Sequence, residues 1–322
     1  MPRALLRVLT LAALLAAVPA SVAGASAFAP PAGEVLHGVA GGYSVDSYAR
    51  ETGRRPEVFQ LFGEWGNVDW AFRRADASGA RMMLHLSTAR GPGTPERITP
   101  AQIAEGLGDA FVLRLGERIA ERGEPVYLRL MAEMNGPWNQ YCAFDAGGRA
   151  RPGHSTRSFR AAWRRVALML RGGDRAAVNA RLRALRLPPV QAGSGPLAQA
   201  PVALMWVPHN AVALNVRANR PRAYWPGARY VDWVGTDFYG RSPNWGALER
   251  IYTEFPGKPF VFGEWALWGR DDPAFVRRVF AFARTHRRVR MLVYNQGVRA
   301  DGPFRLKRYP RARRALRAAL SR

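Results

Sequence analysis

Apolar runs of strand length alternate with amphipathic stretches along nearly the whole chain, the pattern of repeated βα units and a parallel sheet. Eight such runs predict strands at Val35 to Val39, Val58 to Phe62, Arg81 to Leu86, Pro125 to Met131, Val202 to Val207, Val231 to Thr236, Pro259 to Gly263 and Arg290 to Tyr294. Helical periodicity between them predicts helices at Asn67 to Ser78, Pro100 to Arg122, Thr156 to Leu170, Trp245 to Phe255 and Pro273 to Thr285, with Thr99 and Asp272 as N-caps. Two stretches break the alternation, Asn139 to Arg157 and Gly172 to Ala200, and the first is placed to wall a cleft.

Eight strands interleaved with helices predict an α/β fold, a closed (β/α)8 TIM barrel in one domain. The alternative, an open doubly wound sheet, lacks its glycine-rich phosphate loop, because His37-Gly38 through Gly41-Gly42 does not match that fingerprint. A chain of 322 residues, 48% hydrophobic and 11% aromatic, is long enough for one such core.

Residues 1–27 are read as a signal peptide and 28–322 as the barrel domain. Arg3 and Arg7 precede an apolar stretch, Val8 to Val18, and Ala25-Ser26-Ala27 supplies small residues for cleavage. The apolar stretch is too short to span a bilayer and no later one is long enough, so the reading is a secreted or envelope-associated protein with no transmembrane segment. Cys142 is the only cysteine, which excludes an intramolecular disulfide; a Cys142 nucleophile with His154 is an alternative that no motif supports.

Net charge is +24, almost all from arginine, since Lys258 and Lys307 are the only lysines. That balance favours anionic partners, an acidic polysaccharide or the cell envelope; nucleic acid would demand a localised basic stripe, and the arginines are spread widely with one dense tail, so no nucleic-acid partner is expected. The tail from Arg305 to Arg322 sets Arg311, Arg313, Arg314 and Arg317 around Ala312, Leu316 and Leu320, an amphipathic closing helix. No cluster has metal-ligand spacing, and His154 and His209 stand isolated, so neither metal nor cofactor is expected.

Barrel enzymes gather functional groups where strands end. The fourth predicted strand runs into Ala132-Glu133-Met134-Asn135-Gly136-Pro137-Trp138 and the seventh into Gly263-Glu264-Trp265, across the barrel mouth from each other. A facing glutamate pair is the equipment of glycoside hydrolysis, one carboxyl protonating the leaving oxygen and one attacking or activating water. On spacing alone these glutamates could equally be ion-pair partners of arginine, and Glu64 and Asp237 occupy comparable positions.

The flanking residues resemble family 26 of the glycoside hydrolases, the β-mannanase family, over roughly Val35 to Tyr294. The resemblance rests on Arg129 with Glu133-Met134-Asn135-Gly136 and Trp138, on Tyr224-Trp225-Pro226-Gly227 leading into Tyr230-Val231-Asp232-Trp233-Val234-Gly235, and on Lys258-Pro259 with Gly263-Glu264. It implies a retaining enzyme with Glu133 as acid/base and Glu264 as nucleophile, their carboxyls about 5 to 5.5 Å apart, acting on a β-linked polysaccharide, foremost β-mannan. Within it Tyr239 resembles the tyrosine that orients the nucleophile, and Arg129 supplies charge near Glu264. Trp138, Trp265, Trp268 and His85 are candidates to hold sugar, and Arg129 and Tyr239 are counted with them as substrate-binding residues.

Two positions depart from the family pattern. Ala132 stands where a histidine usually precedes the acid/base, and Tyr294 stands where strand eight often carries a tryptophan under the sugar, a smaller platform in its place. They motivate one alternative, a carbohydrate-binding protein on a decayed barrel; a transglycosylase, passing the glycosyl intermediate to another sugar instead of water, is a further alternative that would use the same residues.

Overall fold

The computed structural model describes residues 28–41, 44–210 and 213–321; the signal-peptide reading falls on 1–27, outside them. Eight parallel strands follow one another around a closed barrel: β1 (Leu36–Ala40), β2 (Val58–Glu64), β3 (Arg81–Ser87), β4 (Val126–Leu130), β5 (Val202–Trp206), β6 (Trp233–Tyr239), β7 (Phe260–Ala266) and β8 (Val289–Asn295). The seam is closed by β1 against β8, with Leu36 opposite Met291 and Ala40 opposite Asn295.

The helices are α1 (Val45–Thr52), α2 (Asp69–Ser78), α3 (Pro100–Glu105), α4 (Asp109–Arg122), α5 (Thr156–Arg171), α6 (Arg175–Ala184), α7 (Trp245–Glu254), α8 (Pro273–Thr285) and α9 (Pro310–Leu320). Thr99 caps α3 in a reciprocal arrangement with Gln102, and Asp272 caps α8 by accepting from the amides of Ala274 and Phe275. The stretch expected as one helix from Pro100 to Arg122 is two, because Gly106 ends α3 in the left-handed conformation (φ +96°). Gly172 to Ala200, expected to be irregular, contains α6 behind the Asp174 cap. Between β5 and β6 the chain makes three short 3-10 turns, Arg217–Asn219, Pro221–Tyr224 and Ala228–Tyr230.

Strand alternation divides the core in two. One set of side chains packs between the sheet and the helices. The other fills the barrel interior, with Leu36, Val58, Met83, Tyr127, Met205, Val261, Met291 and Val293 among its members. Phe28 and Ala29 pack against this inner set, and the Tyr127 hydroxyl donates to the carbonyl of Phe28, so the first described residues plug the barrel floor. Above the apolar layer the inward positions turn polar. The closing helix α9 buries Ala312, Leu316 and Leu320, as its pattern predicts.

Among the described residues no helix is long and apolar enough to cross a membrane.

Candidate active site

The polar layer is organised by one cation. Arg129 points inward from β4 and is fully buried. Its Nη2 donates to both carboxylate oxygens of Asp237 on β6, at 2.8 and 2.6 Å, and its Nη1 donates to Glu264 Oε1 on β7 at 2.6 Å and to Gln60 Oε1 on β2 at 2.8 Å. The guanidinium lies against the β7 backbone at Gly263, where a Cβ would stand 2.9 Å from Arg129 Nε and 2.8 Å from Asp237 Oδ1. Glycine is therefore required there for packing. The β6–β7 register shifts between Thr236 and Asp237, which sets Asp237 opposite Glu264 and brings two carboxylates to one guanidinium.

Glu264 is held by four donors. Besides Arg129, Gln60 Nε2 donates to Oε1 at 2.9 Å, while the Tyr239 hydroxyl and Asn295 Nδ2 each donate to Oε2 at 2.6 Å. Burial opposes its ionisation, but the Arg129 charge and the hydrogen bonds outweigh it and hold the carboxyl below its ordinary range. Tyr239 is pushed well above the usual phenol range by burial and by the surrounding carboxylates, so it stays a donor.

Glu133 sits in a different environment. The chain leaves β4 through Met131 (φ +46°) and Glu133 (φ +51°), left-handed conformations that cost non-glycine residues on the order of 1–3 kcal/mol. Neighbouring strands hold this turn: the amide of Met131 donates to Leu86 O at 2.8 Å and that of Glu133 to Val207 O at 2.7 Å. Asn135 fastens it further, its side chain exchanging two hydrogen bonds with the His209 backbone, both 2.9 Å. Trp138 Nε1 donates to Glu133 Oε2 at 2.8 Å, and the Trp138 ring meets His209 edge-on at 5.0 Å. Burial pushes the Glu133 carboxyl up, and the negative Glu264 adds to this against the opposing pull of His209, Trp138 and Arg129. The site thus contains one carboxyl biased toward the acid and one biased toward the anion.

Several expected site residues take other places. Trp265 is 1% exposed and packs among Phe275, Phe280 and Tyr294 on the helix side of β7. Tyr294 is fully buried, stacked near Tyr48, with its hydroxyl donating to Phe304 O. Neither has a face for a sugar, and the expectation that they bind substrate is corrected: alternation beside the inward Asn295 turns Tyr294 outward, and on β7 the register shift that turns Glu264 inward after Gly263 turns Trp265 outward. Arg129, also expected to touch substrate, lies buried beneath Glu264 and acts on that carboxylate instead. Trp138, at 38% exposed, is an accessible aromatic at the mouth, and the half-buried Trp268 stands edge-on to Tyr239 at 5.7 Å.

His85 lies at the end of β3, half-buried, with Nε2 3.5 Å from the Tyr141 hydroxyl and Nδ1 without a partner among the described residues. Burial and the Arg129 charge lower its pKa to about 3, so it is a neutral imidazole. Glu64 is paired with Arg97 at 3.3 Å. Cys142 is buried against Tyr224 and Asn219, while His154 pairs with Glu96, so the cysteine–histidine alternative has no geometry. Among the described residues no three His, Cys, Asp or Glu side chains converge as a metal-binding group. Gln60 and Asn295 are the site residues that sequence reasoning did not single out. Their signal was a polar residue at an inward position of an otherwise apolar strand.

A titratable clasp joins the loops after β3 and β4. His154, in the loop after β4, contacts Glu96, in the loop after β3, at 2.7 Å, and Glu96 accepts from Thr88 as well. The hydrogen bond to Glu96 raises the His154 pKa above 6.5. A raised histidine pKa stabilises the fold fully below the unfolded value near 6.5, and the contribution disappears as pH rises through the folded value. The melting-temperature difference between wild type and His154→Asn is therefore expected to be largest at pH 5.5, at roughly 0.5–1 kcal/mol or about 1–3 °C, and to shrink toward pH 8.5. A difference that grows with pH would contradict the clasp.

No protein-family model and no curated protein matches the chain. Solved structures of glycoside hydrolase family 26 β-mannanases do resemble it. The catalytic domain of the family 26 endo-β-1,4-mannanase of Bacillus sp. JAMB-750 is 12% identical, with a TM-score of 0.56 over 90% of this chain and 86% of that one. The family 26 β-mannanase of Bacteroides ovatus is 16% identical, TM-score 0.52, over 89% and 88%. A mannanase of Bacillus subtilis is 17% identical, TM-score 0.50, over 83% and 81%. At these identities the likeness is one of fold, and the chain is a (β/α)8 barrel of that shape.

Proposed function

We propose that the protein is a retaining glycoside hydrolase that cleaves a β-linked polysaccharide of the mannan type, with Glu133 as acid/base and Glu264 as nucleophile. The observation that carries this reading is the opposite bias of the two carboxyls. Glu133 is pushed toward its protonated form by burial and by Glu264, while Glu264 is held ionised by Arg129 and three further hydrogen-bond donors. The fold likeness to β-mannanases supports the substrate class.

In this mechanism Glu133 gives its proton to the leaving glycosidic oxygen as Glu264 Oε attacks the anomeric carbon, forming a covalent glycosyl-enzyme. Glu133, now a carboxylate, removes a proton from water as it attacks that carbon from the vacated side, and Glu264 departs as the carboxylate its donors favour. Two inversions give net retention. Trp138 keeps Glu133 Oε2 oriented and offers a partly exposed ring to a sugar; the neutral His85 offers an imidazole at the same mouth. Export, proposed from the pattern between Arg3 and Ala27, suits an enzyme whose substrate is a polymer.

The test is release of reducing sugar from mannans, glucans, xylans and acidic polymers, with the anomeric form of the first product followed by NMR. Release from mannan with retained configuration is the expected result. An inverted first product would overturn the double displacement, and inactivity across the panel would favour a protein that binds polysaccharide without cleaving it.

A further inference from the structure

The arginines of this chain are used in two different ways. On α5 four of the five are engaged in the fold: Arg160 and Arg164 donate to the carbonyls of Ala223 and Pro226, Arg165 forms a buried pair with Asp109, and Arg171 reaches Asp232 at 2.9 Å. On α8 and α9 most are not, Arg278 over the Trp245 ring at 4.2 Å being an exception. Arg277, Arg284, Arg311, Arg314 and Arg317, with Arg287 just beyond α8, are exposed, and their side chains have no hydrogen bond or ion pair among the described residues.

These side chains form one face. Asp272 caps α8 and the adjacent Asp271 accepts from the amides of Arg311 and Ala312 at the start of α9. The two packed helices therefore begin at one level and run side by side in the same direction. Neither Pro273–Thr285 nor Pro310–Leu320 contains a carboxylate. Guanidinium groups recur along the two rows at about 5–10 Å intervals, from the helical rise per residue. Charge pairing resumes at the border with α1, where Arg55 meets Asp46 and Arg54 meets Glu57. The large apolar side chains exposed among the described residues are Leu107, Trp138 and Val298, none on this face, so it has nothing to insert into a bilayer.

We propose that the α8–α9 face is a docking surface for a linear polyanionic polysaccharide, one bearing carboxylates or phosphates at short regular intervals, and that it holds the protein on such a polymer independently of the catalytic mouth. Guanidinium forks match both anions. Two parallel rows favour an extended chain over a single small anion, and the face lies on the outer wall beside β8, away from Glu133 and Glu264.

The test measures retention of the full chain in gels containing sodium polygalacturonate, long-chain inorganic polyphosphate or neutral mannan, together with sedimentation on phosphatidylglycerol vesicles. A variant combining Arg277→Glu, Arg284→Glu, Arg314→Glu and Arg317→Glu is compared with one of equal net charge combining Arg73→Glu, Arg114→Glu, Arg181→Glu and Arg183→Glu. The wild type is expected to be retarded by a polyanion, with retention lost as salt rises. The α8–α9 variant should bind at least about tenfold more weakly, and the dispersed variant nearly as well as wild type. Preference for polygalacturonate or for polyphosphate identifies the anion. If the glutamate variant does not fold, the four arginine-to-glutamine changes serve in its place. Equal losses in the two variants would reduce the effect to net charge and overturn the proposal, as would stronger binding to vesicles or to double-stranded DNA than to either polymer, or no retention of wild type at low salt. Because the readout is binding, the result stands whether or not mannan is the substrate.

Discussion

Glu264→Ala is expected to lower kcat/KM on polysaccharide by a factor on the order of 10⁴ or more, the loss seen when a group acting as nucleophile is removed. Glu133→Ala should behave differently. The missing acid slows cleavage of natural linkages by about 10²–10⁴-fold, but an aryl glycoside with an acidic leaving group needs no protonation, so glycosylation survives and deglycosylation becomes limiting. Azide, a nucleophile that needs no general base, should then restore turnover in Glu133→Ala and yield a glycosyl azide of retained configuration. In Glu264→Ala, azide should give the opposite configuration, because it attacks from the face the carboxylate has left. Identical azide products from the two variants would sink the assignment of roles.

Arg129→Met is expected to be among the most damaging single changes to stability. Arg129 is the cation that Asp237 and Glu264 share at 2.6 to 2.8 Å in a fully buried setting. Removing one partner of a buried pair leaves uncompensated charge and costs about 3–5 kcal/mol, which denaturant unfolding would read directly. Arg129→Lys should recover little, since an ammonium cannot hold both carboxylates with the spacing of a planar guanidinium. In any folded variant Glu264 loses the charge that keeps it ionised, so its pKa rises and the acidic limb of the pH–rate profile moves to higher pH. An unchanged acidic limb with reduced stability would confine Arg129 to a structural role.

The barrel was legible because its evidence is spread over the chain. Eight apolar runs alternating with helices leave few other folds, and Glu133 and Glu264 stand out because each ends a strand within a recognisable flank. The errors have a common physical origin. Trp265 and Tyr294 read as platforms by residue type and neighbourhood, yet the two-residue period beside Asn295 turns Tyr294 into the helix layer, and the register shift at Gly263 does the same to Trp265. Gln60 was overlooked for the same reason: in Val58-Phe59-Gln60-Leu61-Phe62 it reads as a lapse in an apolar strand, yet it faces the interior and bonds both Arg129 and Glu264. The β6–β7 register shift that brings Asp237 beside Glu264 is a property of two paired strands, and no single stretch of sequence contains it. Helix α6 was lost among glycines and prolines because its short apolar stripe, Val178 and Leu182, is weaker than the breakers around it.

The seam between β1 and β8 joins strands from nearly opposite ends of the chain, and the donors around Glu264 come from both sides of it, Gln60 from β2 and Asn295 from β8. A chain emerging from its N-terminus can hold β2 through β7 in register and still lack the last ligand of its own carboxylate. The edges of that unfinished sheet stay open to other chains until β8 arrives. The last donor to Glu264 and the loss of the exposed edges thus arrive in one event, the closing of the ring, so the activity proposed for this site would double as a report that folding is complete.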